Sequence, residues 1–303
     1  MRVTNNTFPD SLLSHLQRIT KDMNQLNEQV ATGQRISKVS EDSASANRIL
    51  DMQEEKGKIT QYSKNAARAQ NINNTTISQL QNFISISDRV SEISTLADGL
   101  KGPDGMKAYA EEIDELIQHA MQSANARFNG EYIFGGSASG TQPFTANLDA
   151  DGKIVDLGAG AVTYNGTASG PEFHLSETGK IRPFTDGATN QRLGDFINRM
   201  VELRDALETG NVNAVTAPMR EGLEQSEDEL IFALSRQGSV QMRIEFDLNL
   251  NQQRFTDLEK NISSEADVDI AQTVVRLTQI QNAYQASLKS AGQVLNQSLL
   301  NYL

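Results

Sequence analysis

The chain has 303 residues, no cysteine and a formal net charge of −12. The lack of cysteine excludes disulfide bonds and cysteine-ligated metals, and the negative charge argues against nucleic acid or an anionic membrane as a partner. Because only 6% of the residues are aromatic, we expect an elongated array of long helices rather than a large compact core. No stretch approaches about 18 uninterrupted apolar residues, and the start lacks the apolar run of a cleavable signal. We therefore expect a protein that stays in the cytoplasm or leaves by a route that needs no such signal.

The first predicted helix covers residues 10–32. Asp10 or Ser11 is expected to cap its start, and Gly33 is expected to end it. Apolar residues recur in it at alternating steps of four and three, which indicates a helix that packs along another helix. These residues are Leu12, Leu16, Ile19, Met23, Leu26 and Val30. The segment that follows, residues 34–45, is small and polar, so it offers this seam no partner.

Two more helices are predicted before residue 130. The first covers residues 44–100 and contains two polar interruptions of its apolar pattern, Asn73 and Thr76. The second covers residues 106–128 and begins with an acidic run at 111–115. This run could supply a general acid pair, but a solvated helix start near the positive end of the helix dipole is the favoured interpretation.

The composition changes at Asn129 and Gly130, after which glycine, threonine, serine and asparagine dominate to about residue 190. A small β domain is predicted here, inserted at the tip of a helical hairpin. Asn165 and Gly166 follow an apolar run and predict a two-residue hairpin turn of type I′. The β-like runs are residues 131–134, 153–157, 161–164, 172–175 and 181–184.

Helices return after the β insertion, over residues 193–208, from near Pro218 to about 262, and from 267 to 303. Gly238 is a weak point inside the long one. The last helix carries a second stripe with steps of four and three, and its remaining surface is polar but almost uncharged. We therefore expect other protein to cover that surface. The stripe consists of Ile270, Val274, Leu277, Tyr284, Leu288, Ala291 and Leu295, and the apolar end of the chain adds Leu299 and Leu300.

The two terminal seams are expected to pair with each other, since neither has a partner nearby in the sequence. The predicted fold is mainly α: an elongated helical rod or coiled coil with paired terminal helices and a small β domain at its tip. We predict a terminal coiled coil from residues 1–43 and 264–303, a helical rod from 44–130 and 190–263, and a β domain from 131–189. Burial of one seam does not by itself offset the entropy of ordering both ends, so we expect the two ends to be frayed or disordered in the free chain and to become ordered when other subunits cover them.

Residues with catalytic or metal-binding chemistry are scattered along the chain. His15, His119 and His174 lie in unrelated segments, and none has the helical i, i+4 partner of a metal site. The glycines at 158 and 160 lack the third glycine and the following helix of a dinucleotide loop. We predict no catalytic, cofactor-binding or metal site, and no enzymatic activity.

The terminal segments resemble those of the flagellin-like axial proteins of the bacterial flagellum. The resemblance rests on residues 265–271, 277–281, 288 and 298–303 at one end and on residues 26–36 and 41–44 at the other, and residues 236–240 resemble the bend before that family's last helices. Within the family, residues 1–5 and the run 126–136 are most similar to the hook–filament junction type, the third hook-associated protein.

The resemblance implies a structural subunit exported by the flagellar type III apparatus and assembled with copies of itself as a ring at the hook–filament junction, outside the cell. Its implied partners are the other hook-associated junction protein, flagellin and a cytoplasmic export chaperone, with neither nucleic acid nor membrane. Two alternatives remain: a short flagellin, or a type III secreted translocator or effector. A translocator should carry a long apolar hairpin, which this chain lacks.

Overall fold

A computed structural model describes residues 7–97, 102–150, 152–156, 158, 160–210 and 215–300, with side chains described between 11 and 293. This part of the chain is mainly α, as predicted. Its helices are α1 (Thr7–Thr32), α2 (Ser43–Leu96), α3 (Pro103–Ala124), α4 (Gly187–Glu208), α5 (Ala217–Ala266) and α6 (Ile270–Leu300). Its strands are β1 (Arg127–Phe128), β2 (Glu131–Tyr132), β3 (Phe144–Ala146), β4 (Val162–Tyr164), β5 (Phe173–His174) and β6 (Lys180–Ile181). No helix in these ranges is long and apolar enough to cross a membrane.

The chain folds into two compact units. The first comprises residues 1–58 and 254–303, and the second comprises residues 59–253. The division falls inside α2 and α5, so each of these helices contributes to both units. The finer division into three domains stays a prediction.

The core of the second unit is built around α3 and α4, which pack against each other. Both helices bury residues three and four apart, because such residues share one helix face. Phe83 of α2 meets Phe196 of α4 edge to face, with ring centroids 6.3 Å apart. The buried apolar residues of α3 and α4 include Met106, Ala110, Ile113, Ile117, Ala120, Leu193, Phe196, Ile197, Met200, Leu203 and Leu207.

Several helix ends differ from the prediction by a few residues. α1 begins at Thr7, so neither Asp10 nor Ser11 caps it. α5 ends at Ala266 rather than near residue 262, and it passes through Gly238 unbroken, because an open helix surface tolerates a glycine. Gly33 does end α1, with a φ of 71°. Asn73 and Thr76 are buried inside α2 without breaking it, and Asn73 donates a hydrogen bond to the backbone of α5.

The described β region consists of three separate antiparallel pairs: β1 with β2, β3 with β4, and β5 with β6. The predicted hairpin at Asn165 and Gly166 is wrong, because β4 pairs with the upstream strand β3 and neither residue has a positive φ. The type I′ turn instead falls at Asn129 and Gly130, whose φ values are 52° and 86° between β1 and β2.

Asp186 fixes the start of α4, which begins at Gly187 rather than near residue 193. Its carboxylate accepts a 2.9 Å hydrogen bond from the backbone N–H of Thr189 and pairs with Arg236. Burial raises the pKa of Asp186, but the hydrogen bonds from Thr189 and Arg236 outweigh it and hold the pKa below its ordinary value. The folded state therefore gains stability from this carboxylate above about pH 4, and loses it as the pH falls through the lowered pKa.

We expect Asp186→Ala to lower the free energy of unfolding by about 1–2 kcal/mol at pH 7, the usual effect of losing an N-cap. The difference from the unsubstituted chain should be smaller at pH 3, because the carboxylate of the unfolded chain is largely protonated there and part of the stability that the charge contributes is lost. Urea unfolding of both chains at pH 7 and pH 3 measures this difference in the free energy of unfolding. Asp186→Asn is the matched control, because it keeps a capping oxygen and removes only the charge. An equal loss at both pH values would contradict the role of the charge.

Candidate assembly interface

Backbone hydrogen bonds join the residues that follow α1 to the residues that precede α6. The N–H of Val268 donates to the carbonyl of Gly33 at 2.9 Å, and the N–H of Arg35 donates to the carbonyl of Ala266 at 2.6 Å. Gln34 and Asp267 lie opposite each other as a single antiparallel bridge. Since α1 and α6 also pack along each other, they run antiparallel from this bridge. The predicted pairing of the terminal helices is confirmed.

On α1, every residue of the predicted stripe faces away from solvent. Ile19 is buried, and Leu12, Leu16, Met23, Leu26 and Val30 are half-buried. Ile19 is the only buried side chain among those of α1 that the structure describes. The stripe therefore makes a one-sided contact, and it leaves most of α1 uncovered.

On α6, the inward-facing stripe differs from the predicted one. Its residues are again four and three apart: Thr273, Leu277, Ile280, Tyr284, Ser287 and Ala291. Leu277, Tyr284 and Ala291 belong to both stripes. Ile270, Val274 and Leu288 lie beside the seam and are 53%, 42% and 47% exposed. Leu295, Leu299 and Leu300 fall outside the described side chains. The part that any of these residues plays in assembly stays a prediction.

The outer surface of α6 combines exposed apolar side chains with very little charge. Arg276 and Lys289 are the charged residues of the whole helix. Val275, which lies on a different side of α6 from Val274 and Leu288, and Leu13 of α1 are exposed as well. Ile270 and Val274 lie one helical turn apart, and neighbouring apolar side chains that are exposed on a monomer usually mark a site of interaction with another molecule. α6 therefore presents a surface suited to contact with further protein.

A group of charged residues surrounds the bridge between α1 and α6. Glu265 lies 3.0 Å from Arg48 and 3.7 Å from Arg35, and Arg35 also pairs with Asp42. Asp42 accepts a 3.0 Å hydrogen bond from the backbone N–H of Ser45 at the start of α2. Hydrogen bonds from Ser45 hold the pKa of Asp42 below its ordinary value, and the hydrogen bond from Arg48 does the same for Glu265. Both carboxylates are thus charged at neutral pH.

Sequence reasoning missed this charged group, although Glu265, Arg35 and Asp42 all lie in or beside the segments that carried the family resemblance. Arg48 and Glu265 are 217 positions apart, so no local pattern links them. The available signal in the sequence was that acidic and basic residues lie next to the break between α1 and α2 and to the break between α5 and α6.

The three histidines do not come together. His15 lies in α1, His119 in α3 and His174 in β5. Within the described ranges, no group of three or more histidine, aspartate or glutamate side chains could hold a metal ion.

Residues 3–139 match the bacterial flagellin N-terminal helical region. None of the curated proteins matches the chain significantly. The predicted resemblance to the flagellin-like proteins is confirmed by this match and by the fold of the chain.

Solved structures of hook-associated proteins share the fold. FlgL from Bacillus cereus is 22% identical, with a TM-score of 0.59 over 70% of this chain and 99% of that one. A protein assigned as flagellar hook-associated, from Vibrio parahaemolyticus, is 14% identical, with a TM-score of 0.65 over 75% and 100%. The flagellar junction protein FlgL from Legionella pneumophila is 13% identical, with a TM-score of 0.51 over 72% and 99%.

Proposed function

We propose that this chain is a structural subunit that joins the hook to the filament of the bacterial flagellum, without enzymatic activity. The observation that carries the proposal is the outer surface of α6, where Ile270, Val274 and Leu288 remain exposed although α6 already packs against α1. In the proposed assembly, neighbouring subunits cover this surface and the chains form a ring.

The proposed partners follow from the fold and from the exposed surface. Several neighbours in structure are hook-associated or junction proteins, which supports a place at the hook end beside a second hook-associated protein and flagellin. Apolar residues exposed on α6 would promote aggregation in the cytoplasm. A chaperone that covers α6 before type III export therefore fits the same surface, and the assembled protein would be extracellular.

A short flagellin is the alternative within the family, and it shares the N-terminal region. The two proposals differ in how the chain adds to a filament seed. A junction subunit adds a limited layer and stops, whereas a flagellin continues to add. Open-ended growth of long filaments from the purified chain would favour flagellin.

Charge placed on the exposed surface of α6 tests the proposal. We expect the double variant Val274→Glu and Leu288→Glu to enter isolated flagella at least tenfold less than the unsubstituted chain, a loss of about 1.4 kcal/mol or more in assembly free energy. Both side chains are more than 40% exposed in the single chain, so the fold should tolerate the changes. Immunoblots of sheared flagella, with motility as a second readout, measure incorporation.

The control adds the same charge to the opposite side of α6. Gln272 and Gln279 are exposed there, and their replacement by glutamate should leave incorporation nearly unchanged. If both double variants enter flagella as well as the unsubstituted chain does, the surface beside the seam takes no part in assembly and the proposal fails.

A further inference from the structure

Two long helices, α2 and α5, each bury one residue in every seven inside the unit formed by residues 59–253. On α2 these residues are Ile59, Ala66, Asn73, Leu80, Ser87 and Ser94. On α5 they are Leu223, Leu230, Gln237, Ile244 and Asn251. A repeat of seven keeps one face of a helix turned toward a partner helix, as in a coiled coil. The two helices therefore pair through regularly spaced layers.

Contacts at two heights show the direction of this pairing. The side-chain nitrogen Nδ2 of Asn73 donates a 3.2 Å hydrogen bond to the backbone carbonyl of Gln237. Further along α2, the hydroxyl of Ser91 lies 3.5 Å from a carboxylate oxygen of Glu227, which comes earlier on α5. α2 and α5 are therefore antiparallel, and Asn73 and Gln237 form one layer of the pair, which we call the amide layer.

Apolar layers lie on both sides of the amide layer. The equal spacing of the two helices places Leu80 opposite Leu230 on one side. It places Ala66 opposite Ile244 on the other side. The first two residues belong to the large core cluster of the unit, and the other two belong to a separate, smaller cluster. The amide layer therefore divides the apolar core along α2 and α5 into two parts.

The amide layer is buried without being fully hydrogen-bonded. Asn73 is 0% exposed and Gln237 is 3% exposed. Among the described residues, neither Oδ1 of Asn73 nor Oε1 of Gln237 has a hydrogen-bond partner. A buried polar atom without a partner lowers the free energy of unfolding. Two apolar residues of similar size would avoid this loss, so the stability of the helix pair does not explain why the layer is polar.

The apolar layers alone do not select the observed register. If α5 moved by seven residues along α2, about 10 Å at 1.5 Å per residue, the central buried residues would again face buried residues. In one direction, Ile59 would lie opposite Ile244, and Leu80 would lie opposite Leu223. Both of these pairs would be apolar, so hydrophobic burial distinguishes poorly between the shifted register and the observed one.

We propose that the amide layer locks the register of α2 and α5. The same shift would place Asn73 opposite Leu230, and Gln237 opposite Ala66. The hydrogen bond within the amide layer would be lost, and both amide side chains would face apolar partners. A polar residue at a single buried position of a coiled coil specifies register at a cost in stability. The amide layer therefore enforces one alignment of the two helices, although it lowers the stability of the pair.

This inference goes beyond the proposed function and does not depend on it, because the register is a property of the free chain. It assigns a conformational role to Asn73 and Gln237, which lie outside the proposed assembly surface of α6. Its test uses the purified full-length chain, so the result does not rely on incorporation into flagella.

The distance between two spin labels in the purified chain measures the register. The chain has no cysteine, so Lys64→Cys and Ser235→Cys direct one label to α2 and one to α5, both at exposed positions. The labels lie at different heights along the pair, so a shift of one helix changes the distance between them. We expect one distance in the labelled chain. We expect a second distance, in at least a tenth of the molecules, when Asn73→Leu and Gln237→Leu are added.

Two further variants complete the test. Ser87→Ala removes a different buried polar group that has no partner among the described residues, from a layer that faces Leu223, and it should keep a single distance. Asn73→Ala with Gln237→Ala repeats the main variant with smaller side chains, in case leucine does not fit, and it should also give a second distance. A single, unchanged distance in either folded double variant would overturn the proposal. A second distance in Ser87→Ala would also overturn it, because general packing would then hold the register.

Discussion

In the free chain, amides of α1 between residues 12 and 30 are expected to exchange with solvent at least about 1,000-fold faster than those of α3 between residues 106 and 124. Local openings in one protein range from almost no cost up to the full free energy of unfolding, and about 4 kcal/mol corresponds to this factor. The cause is the difference in burial. α1 buries only Ile19 among its described side chains, whereas α3 buries seven residues and packs against α4.

The exchange should slow on assembly, when neighbouring subunits cover the outer surfaces of α1 and α6. Hydrogen exchange followed by mass spectrometry, on the free chain and on isolated flagella, measures both states. Peptides of α3 serve as the internal control, because their protection should be similar in the two samples. If α1 is as well protected as α3 in the free chain, the terminal pair is stable by itself and the expectation is wrong.

Asp114→Ala is expected to lower the free energy of unfolding of the chain by about 3 kcal/mol, the lower end of the range for breaking a buried ion pair. The side chain of Arg204 in α4 is only 2% exposed, and its guanidinium lies 2.7 Å from Asp114 in α3 and 2.7 Å from Asp205. Removal of Asp114 leaves a buried cation with a single, half-exposed partner. Denaturant unfolding monitored by circular dichroism measures the change.

The matched double variant separates the charge from the packing. Adding Arg204→Met to Asp114→Ala removes the buried cation while it keeps an apolar side chain of similar length. We expect the double variant to recover most of the lost stability, because an apolar group needs no partner. A double variant that is less stable than Asp114→Ala alone would show that Arg204 stabilises the core through packing and not through its ion pairs.

The buried face of α1 was predicted more completely than the buried face of α6, for a physical reason. α1 has a single apolar stripe, so its 4–3 spacing fixes the buried face. α6 carries apolar residues on two adjacent stripes that share Leu277, Tyr284 and Ala291. The stripe that packs on α1 includes Thr273 and Ser287, whose small side chains suit a close contact although their polarity did not predict burial.

Long-range partners account for the other differences. Each Asn-Gly pair in the chain predicts a hairpin turn, but a hairpin forms only where the strands on both sides pair with each other. Asn129 and Gly130 join the paired strands β1 and β2, whereas β4, just before Asn165, pairs with the upstream β3. The charged residues around the bridge and the pairing of Arg204 with Asp114, 90 positions away, depend on contacts between distant segments. Local sequence patterns therefore predicted the helices and the faces on which they pack, whereas the ion pairs and most of the strand pairs could be seen only in the structure.

The bridge between Gln34 and Asp267 makes the two ends of the chain mechanically dependent on each other. The hydrogen bonds that hold the last residues before α6 are the same ones that hold the backbone just after α1. Pulling α6 away, as threading through a narrow export channel would do, also removes the support at the end of α1. Unravelling of the first unit should therefore proceed from both ends in one step, whichever end enters the channel first.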